Sequence, residues 1–312
     1  MFSLDQYRAL HDAAGVYPRT DRGRLLLTGA DRRSYLQGLL SNDIAALTPG
    51  TGCYATLLTA QGRMISDMRV YELGEAVLLD LEAGVTEPVR AHLDMFVITE
   101  DVAVQDVTAT TAQIGLYGPL ARGILAKVRA VGFVELHELP SSDIGVDGFD
   151  LILPSAHAST LVHSLKCLGA FLVDRETVDV TRIEAGIPRF LVDMDSTTIP
   201  LEAGIEDRAI SLTKGCYVGQ EVIIRVLHRG GGRVAKRLVG VMVEGNAQPG
   251  DTVMSGDREV GRVTSAADSP ALGKRLALAY VHRDFIQPGT PLNVKTAAGE
   301  TPAAVVQLPV RA

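Results

Sequence analysis

The stretch KGCYVGQEV, Lys214 to Val222, places a cysteine between two glycines with a lysine two residues ahead of it. The segment that follows, GQEVIIRVLHR, reads as a helix, because Val222, Ile223, Val226 and Leu227 fall on one apolar face. Unpaired N–H groups and partial positive charge at a helix start stabilise a nearby anion. Lys214 adds a full charge, so both features favour the Cys216 thiolate, the form that acts as nucleophile or metal ligand. A pKa moved from about 8.5 to roughly 7 would raise the ionised fraction at neutral pH from ~3% to ~50%. The same residue could instead be a small, inert filler beside the glycines.

Other reactive side chains are sparse. The remaining cysteines, Cys53 and Cys167, lie far from Cys216, and no CxxC pair exists, so the chain encodes no disulfide framework and no zinc site. An ordinary iron–sulfur cluster needs about four protein ligands, which this chain cannot supply alone. The seven histidines show no HExxH spacing. Arg225, His228, Arg229, Arg233, Lys236 and Arg237 form a basic run that suits a solvated face or an anionic ligand. With 30 basic and 37 acidic residues the net charge is −7, which argues against broad nucleic-acid or anionic-membrane binding.

The elements that must position these groups are legible. A chain of 312 residues with 46% hydrophobic residues can bury a sizeable core, and length alone suggests about two domains. No apolar run reaches the ~20 residues of a membrane span, and the N-terminus lacks the pattern of a secretory signal, so a cytoplasmic location is expected. GRLLLTG (23–29) reads as a buried strand and ADRRSYLQGLLSND as a helix. CYATLLTAQGRMISDMRVYELGEAVLLDLE reads as three strands with glycine-containing turns, and Thr86 as the cap of a further helix. A second set follows: strands AQIGLYGP and FDLILP, a helix over 155–169, and another helix capped by Asp174. Strands and helices do not alternate strictly, which points to an antiparallel α+β arrangement. After the triple glycine of RGGGR, about six short strand-like runs separated by Gly-Pro turns predict a small antiparallel barrel. The expected boundaries are an α+β domain over 1–108, a second over 109–229, and the barrel over 230–312.

Three segments in order, SYLQGLLSND (34–43), QGRMISDMRVY (61–71) and RIEAGIPRFLVDMDSTTIPLEAGIEDRAISLTKGCYVGQEVI (182–223), resemble the YgfZ group of folate-binding proteins. This group is a branch of the superfamily of the glycine-cleavage T-protein, an aminomethyltransferase. The likeness spans nearly the whole chain, and KGCYVGQE is its most specific string. It implies a three-domain cloverleaf of two α+β domains with antiparallel sheets and a C-terminal antiparallel β-barrel, around a central cavity for tetrahydrofolate or a one-carbon derivative. It also implies a role in assembling or repairing iron–sulfur enzymes, including tRNA-modifying ones, with iron–sulfur enzymes or assembly proteins as partners. Cys216, supported by Lys214, would then be the reactive group.

The resemblance implies folate-binding roles for Asp67, Tyr71, Asp150, Arg182 and Glu184. Asp67 matches the second acid of a T-protein segment whose first acid is Ser66 here, and it would lie near the reactive folate nitrogens. A carboxylate there can hold the ring or manage a proton. Asp150 matches a glutamate that anchors the pterin, one methylene longer. Val178 stands where the T-protein has an arginine, and loss of a guanidinium is not conservative. Two other functions compete with the iron–sulfur role. One is aminomethyl transfer from a lipoyl-bound group, with Asp67 positioning tetrahydrofolate. The other is a folate-binding scaffold in which Cys216 is only structural.

Overall fold

A computed structural model of the chain describes residues 2–310 apart from 131, 134, 229 and 230. Helices are α1 Leu4–Asp12, α2 Arg32–Leu39, α3 Thr86–Met95, α4 Ala121–Arg129, α5 Ala158–Cys167, α6 Arg175–Ala185, α7 Pro200–Ala203, α8 Glu206–Ala209 and α9 Gln220–His228. Strands of the first half are β1 Gly15–Pro18, β2 Arg22–Thr28, β3 Gly52–Leu58, β4 Met64–Glu72, β5 Val77–Glu82, β6 Ala103–Asp106, β7 Thr111–Tyr117, β8 His137–Ser141, β9 Gly148–Pro154 and β10 Phe171–Leu172. The C-terminal strands are β11 Lys236–Val243, β12 Thr252–Ser255, β13 Arg258–Ser269, β14 Lys274–His282, β15 Pro291–Thr296 and β16 Gly299–Val306.

The strands build the α+β architecture expected from the sequence. One five-stranded sheet has the order β3-β4-β5-β2-β6 and is antiparallel throughout. A second has the order β10-β1-β7-β9-β8, antiparallel except for the short β1–β10 pair. The last six strands close into the antiparallel barrel. Although α1 and β1 open the chain, β1 is a strand of the second sheet, so the N-terminus belongs to that lobe. The expected boundary at 229/230 falls on residues outside the described ones. Among the described residues, no helix is long and apolar enough to cross a membrane.

Alternation along the strands divides each sheet into two unlike faces. In the first sheet, Leu25, Leu27, Met68, Val70, Leu79 and Leu81 enter one apolar core with α2 and α3. In the second, Val16, Ile114, Leu116, Phe149, Leu151 and Leu153 pack with α4 and α5. The opposite faces carry polar rows beside a smaller apolar patch of Leu26, Leu78, Leu139 and Ile152. Arg24, Asp80, Arg69 and Tyr54 occupy one cross-strand row of the first sheet, while Tyr17, Gly115 and Asp150 share a row of the second. Tight backbone at two glycines admits aromatic rings here: a Cβ on Gly52 would lie 2.4 Å from the Tyr71 ring, and one on Gly115 2.2 Å from Tyr117.

These polar faces meet each other. Gln113 donates to Asp80 at 3.0 Å, and Arg24 donates to Thr111 at 2.7 Å. The caps of two helices differ from each other: Asp174 accepts from the Thr177 N–H at 2.8 Å as expected, whereas Thr86 is the first residue of α3 and its hydroxyl donates to the Ala83 carbonyl. Thr86 is spent on packing over Gly23, whose Cβ position its hydroxyl fills.

Arg22 is the centre of the buried contact, 2.6 Å from Asp80 and 2.9 Å from Glu82. Removing one member of a buried ion pair leaves an uncompensated charge and costs about 3–5 kcal/mol. Arg22→Met is therefore expected to lower unfolding free energy in urea by about that amount, and Arg22→Met combined with Asp80→Leu to recover part of it.

Candidate functional site

A narrow cavity of about 60 Å³ opens where the facing surfaces of the two sheets and the loop after α6 converge. Seven arginines and five carboxylates line it, among them Arg22, Arg69, Arg208, Asp67 and Glu82, together with Tyr54 and Val178. Such a positive lining stands out in a chain of net charge −7. Most of these groups are fixed by one another. From Glu82 the contacts run through Arg189 (2.9 Å) to Asp21 (3.1 Å) and Arg19 (3.5 Å). Arg19 donates to the Tyr117 hydroxyl at 3.0 Å, which donates to Asp150 at 2.7 Å.

Asp67 is placed by the β3–β4 hairpin. It pairs with Thr56 and points to the polar face with Tyr54, Arg69 and Tyr71. The Tyr54 hydroxyl donates to its Oδ2 at 2.6 Å, while Oδ1 is buried with no partner. A buried acceptor without a donor costs about 1–3 kcal/mol, so this oxygen is a binding site for a ligand N–H or O–H. Burial pushes the Asp67 carboxyl above its ordinary range, against the pull of Arg22 and the Tyr54 hydrogen bond. Tyr54 itself lies under two guanidiniums, with Arg69 4.7 Å and Arg208 5.2 Å from its ring centre.

The other residues expected at the site divide by location. Arg182 lines the cavity, but its guanidinium is held at 2.6 Å by Asp179, 2.8 Å by Asp193 and 3.0 Å by Ser265 of the barrel. Glu184 faces away from it, accepting from Tyr7 at 2.7 Å and from Ser269 at 2.5 Å. The two side chains, two residues apart on α6, do not pair with each other. Tyr71 and Asp150 lie deeper, between the sheets, and each has a buried oxygen without a partner. Asp80, Asp143 and Asp150 gather their carboxylates within 4.8 Å, but each faces a guanidinium, from Arg22, Arg69 and Arg19 respectively.

Cys216 and Lys214 lie elsewhere. Cys216 is exposed, four residues before α9 begins, and is not among the residues lining the cavity. The Lys214 ammonium turns inward to the carbonyls of Leu40, Gln37 and Asn42 at 2.5, 2.6 and 3.1 Å. Burial draws its pKa down to about 8, so at neutral pH most of the charge remains, held by these carbonyls. Cys53 is the opposite case, a half-buried thiol pushed up to about 11 by burial.

Sequence reasoning missed Tyr54, Arg22, Arg69, Arg189 and Arg208. The signal for Tyr54 was present. A hairpin turning at AQGR sets residues 54 and 69 opposite each other, which brings Tyr54 beside Asp67 on one face.

Two α+β lobes meeting at a narrow polar cavity, with a barrel joined to them through α6, define a small-ligand-binding protein of three lobes. Residues 2–214 match the GCVT N-terminal domain, and residues 236–310 match the glycine cleavage T-protein C-terminal barrel domain. The chain belongs to this glycine-cleavage T-protein family. It is 31% identical to an aminomethyltransferase of Nostoc sp. over 97% of this chain and 86% of that protein. It is 32% identical to an aminomethyltransferase of Rubrobacter xylanophilus over 88% and 78%. In fold it resembles the crystal structure of glycine cleavage system aminomethyltransferase T from Bartonella henselae, with a TM-score of 0.86 at 21% identity over 98% of this chain and 89% of that one. These relatives overturn the expectation of an iron–sulfur accessory role: what the chain resembles over nearly its full length is named for aminomethyl transfer.

Tyr54→Phe is expected to raise the Asp67 pKa further, since it removes a hydrogen bond to the charged form; carboxyl titration by NMR would read the shift. Lys214→Met is expected to lower stability by about 1–3 kcal/mol, because three carbonyls lose their donor, while the alkylation rate of Cys216 stays within about twofold of wild type.

Proposed function

We propose that the protein is a tetrahydrofolate-dependent aminomethyltransferase of the glycine-cleavage type, with Asp67 as the group that meets the folate ring. The observation that carries this reading is the unpartnered Asp67 Oδ1, buried in the wall of an arginine-lined cavity. The residues present fit the cofactor. A pterin ring offers N–H donors to Oδ1, and aromatic and aliphatic side chains, Tyr17, Phe190, Ile144 and Val178, supply apolar wall. Tetrahydrofolate, when bound, supplies the nitrogens that accept a one-carbon unit.

The chain's own contribution is positional and electrostatic. Tyr54 occupies Oδ2, so Oδ1 alone is left to orient the ligand and to take a proton. The raised pKa brings Asp67 closer to the proton affinity of a general base working near neutral pH. Arg22 and Arg69 limit that rise and keep the carboxylate accessible. Tyr71 Oη and Asp150 Oδ2, unpartnered behind this point, are further anchors if the ring reaches between the sheets. Val178 supplies none of the hydrogen bonds of the arginine it replaces, so ring anchoring falls to the carboxylates. The KGCYVGQE string supports a place near the YgfZ branch within the superfamily. Three free thiols fit a reducing, cytoplasmic setting.

Asp67→Asn is expected to weaken tetrahydrofolate binding by more than about 1 kcal/mol in calorimetry and to cut transfer by at least ~10²-fold. Transfer is read as ammonia released from aminomethylated dihydrolipoamide. In the wild type, activity should rise with pH as Asp67 ionises, with its acid limb above the ordinary aspartate value of about 3.9. Unchanged binding and an unchanged acid limb in Asp67→Asn would remove Asp67 from the site.

A further inference from the structure

The cavity wall holds positive charge that its carboxylates do not answer. Six of its arginines have a carboxylate within 4.0 Å. Arg208 has none among the ion pairs of the described residues, and its guanidinium rests instead near the face of Tyr54, 5.2 Å from the ring centre. Arg69 approaches the same ring at 4.7 Å, and although one of its terminal nitrogens meets Asp143, its Nε is buried with no partner. Two like charges thus converge on one ring at the mouth of the cavity, one of them unpaired and the other with a free donor.

We propose that Arg208 and Arg69 form a carboxylate-binding subsite at the mouth of the Asp67 cavity. A guanidinium presents two parallel N–H donors that match the two oxygens of a carboxylate. An anion there would supply the missing partner for Arg208 and the acceptor for Arg69 Nε. Arg208 is an exposed residue, so an anion can reach its guanidinium from solvent. The subsite also gives the cavity two poles: Asp67 takes a donor and the arginines take an acid. The carboxylate can come from the glutamyl part of tetrahydrofolate, in which case the inference rests on the folate reading, or from a separate small acid bound beside the ring.

The test is calorimetry on the full chain with tetrahydrofolate, with tetrahydrofolate diamide (the same molecule with both glutamyl carboxylates converted to amides), and with acetate, in wild type and Arg208→Gln. Thermal unfolding checks that the variant stays folded, and Arg208→Lys serves as a second variant that keeps charge but loses the fork. If the carboxylate is the ligand's own, wild type binds tetrahydrofolate at least tenfold tighter than its diamide, and Arg208→Gln reduces that ratio to near one. If it belongs to a separate acid, the two pteridines bind alike, and acetate binds saturably to wild type but not to Arg208→Gln. In both cases Arg208→Lys falls between. Arg208→Gln leaving both the ratio and acetate binding unchanged would overturn the subsite. Failure of both pteridines to bind, with acetate still captured through Arg208, would count against the folate reading and not against the subsite.

Discussion

The burial of charge between two sheets is the constraint from which the rest of the structure follows. Each sheet covers one face with helices and leaves the other with ionisable residues at alternate positions, and these faces are pressed together. Charges out of water are costly unless paired and fully hydrogen-bonded. Here the signs alternate, from Asp80 through Arg22, Glu82, Arg189, Asp21 and Arg19 to Tyr117 and Asp150. That sequence of contacts crosses from β5 and β2 through the loop after α6 to β7 and β9, beside an apolar patch in which Leu26, Tyr71 and Leu78 of one sheet meet Leu139 and Ile152 of the other, so charge pairing and apolar packing together set the lobes. Where it is incomplete, at Asp67 Oδ1, Tyr71 Oη and Asp150 Oδ2, polar atoms remain for something else to satisfy.

The barrel is tied to this arrangement by a second polar clasp. Asp193 accepts from Thr264 at 2.5 Å and from Ser265 at 2.6 Å, and it also holds Arg182 and the Arg189 N–H. Glu184 adds Ser269 and Tyr7. Arg182 and Glu184 therefore fix α6 and the loop that carries Arg189 into the cavity. Arg182 lines the cavity and Glu184 faces away from it, and both make hydrogen bonds that join the lobes.

Much of this was legible in the sequence. The β2 strand, the three strands from Cys53 to Glu82 and the six-stranded barrel follow from alternation and turn residues, because those signals are local. The β1 strand could not be placed by the same means, since its partners β7 and β10 are about a hundred residues or more away. Asp67 was identifiable through family likeness, and its neighbour Tyr54 through hairpin register. The arginines were not. Arg22 and Arg69 look like solvated strand residues in sequence, and only the packing of one polar face on another makes them interior. The direction of the Lys214 side chain was hidden for a related reason: nearness to Cys216 in sequence does not say which way a long side chain turns, and its ammonium donates to three carbonyls of the segment around α2.

The proposed folate site lies in the seam between the sheets. A crystal structure with tetrahydrofolate bound is the direct test. The ring is expected inside the cavity with a ring N–H or exocyclic N–H about 2.7–3.2 Å from Asp67 Oδ1, which would then have the partner it lacks. A ring bound anywhere else, with Asp67 Oδ1 making no contact to it, would contradict the account.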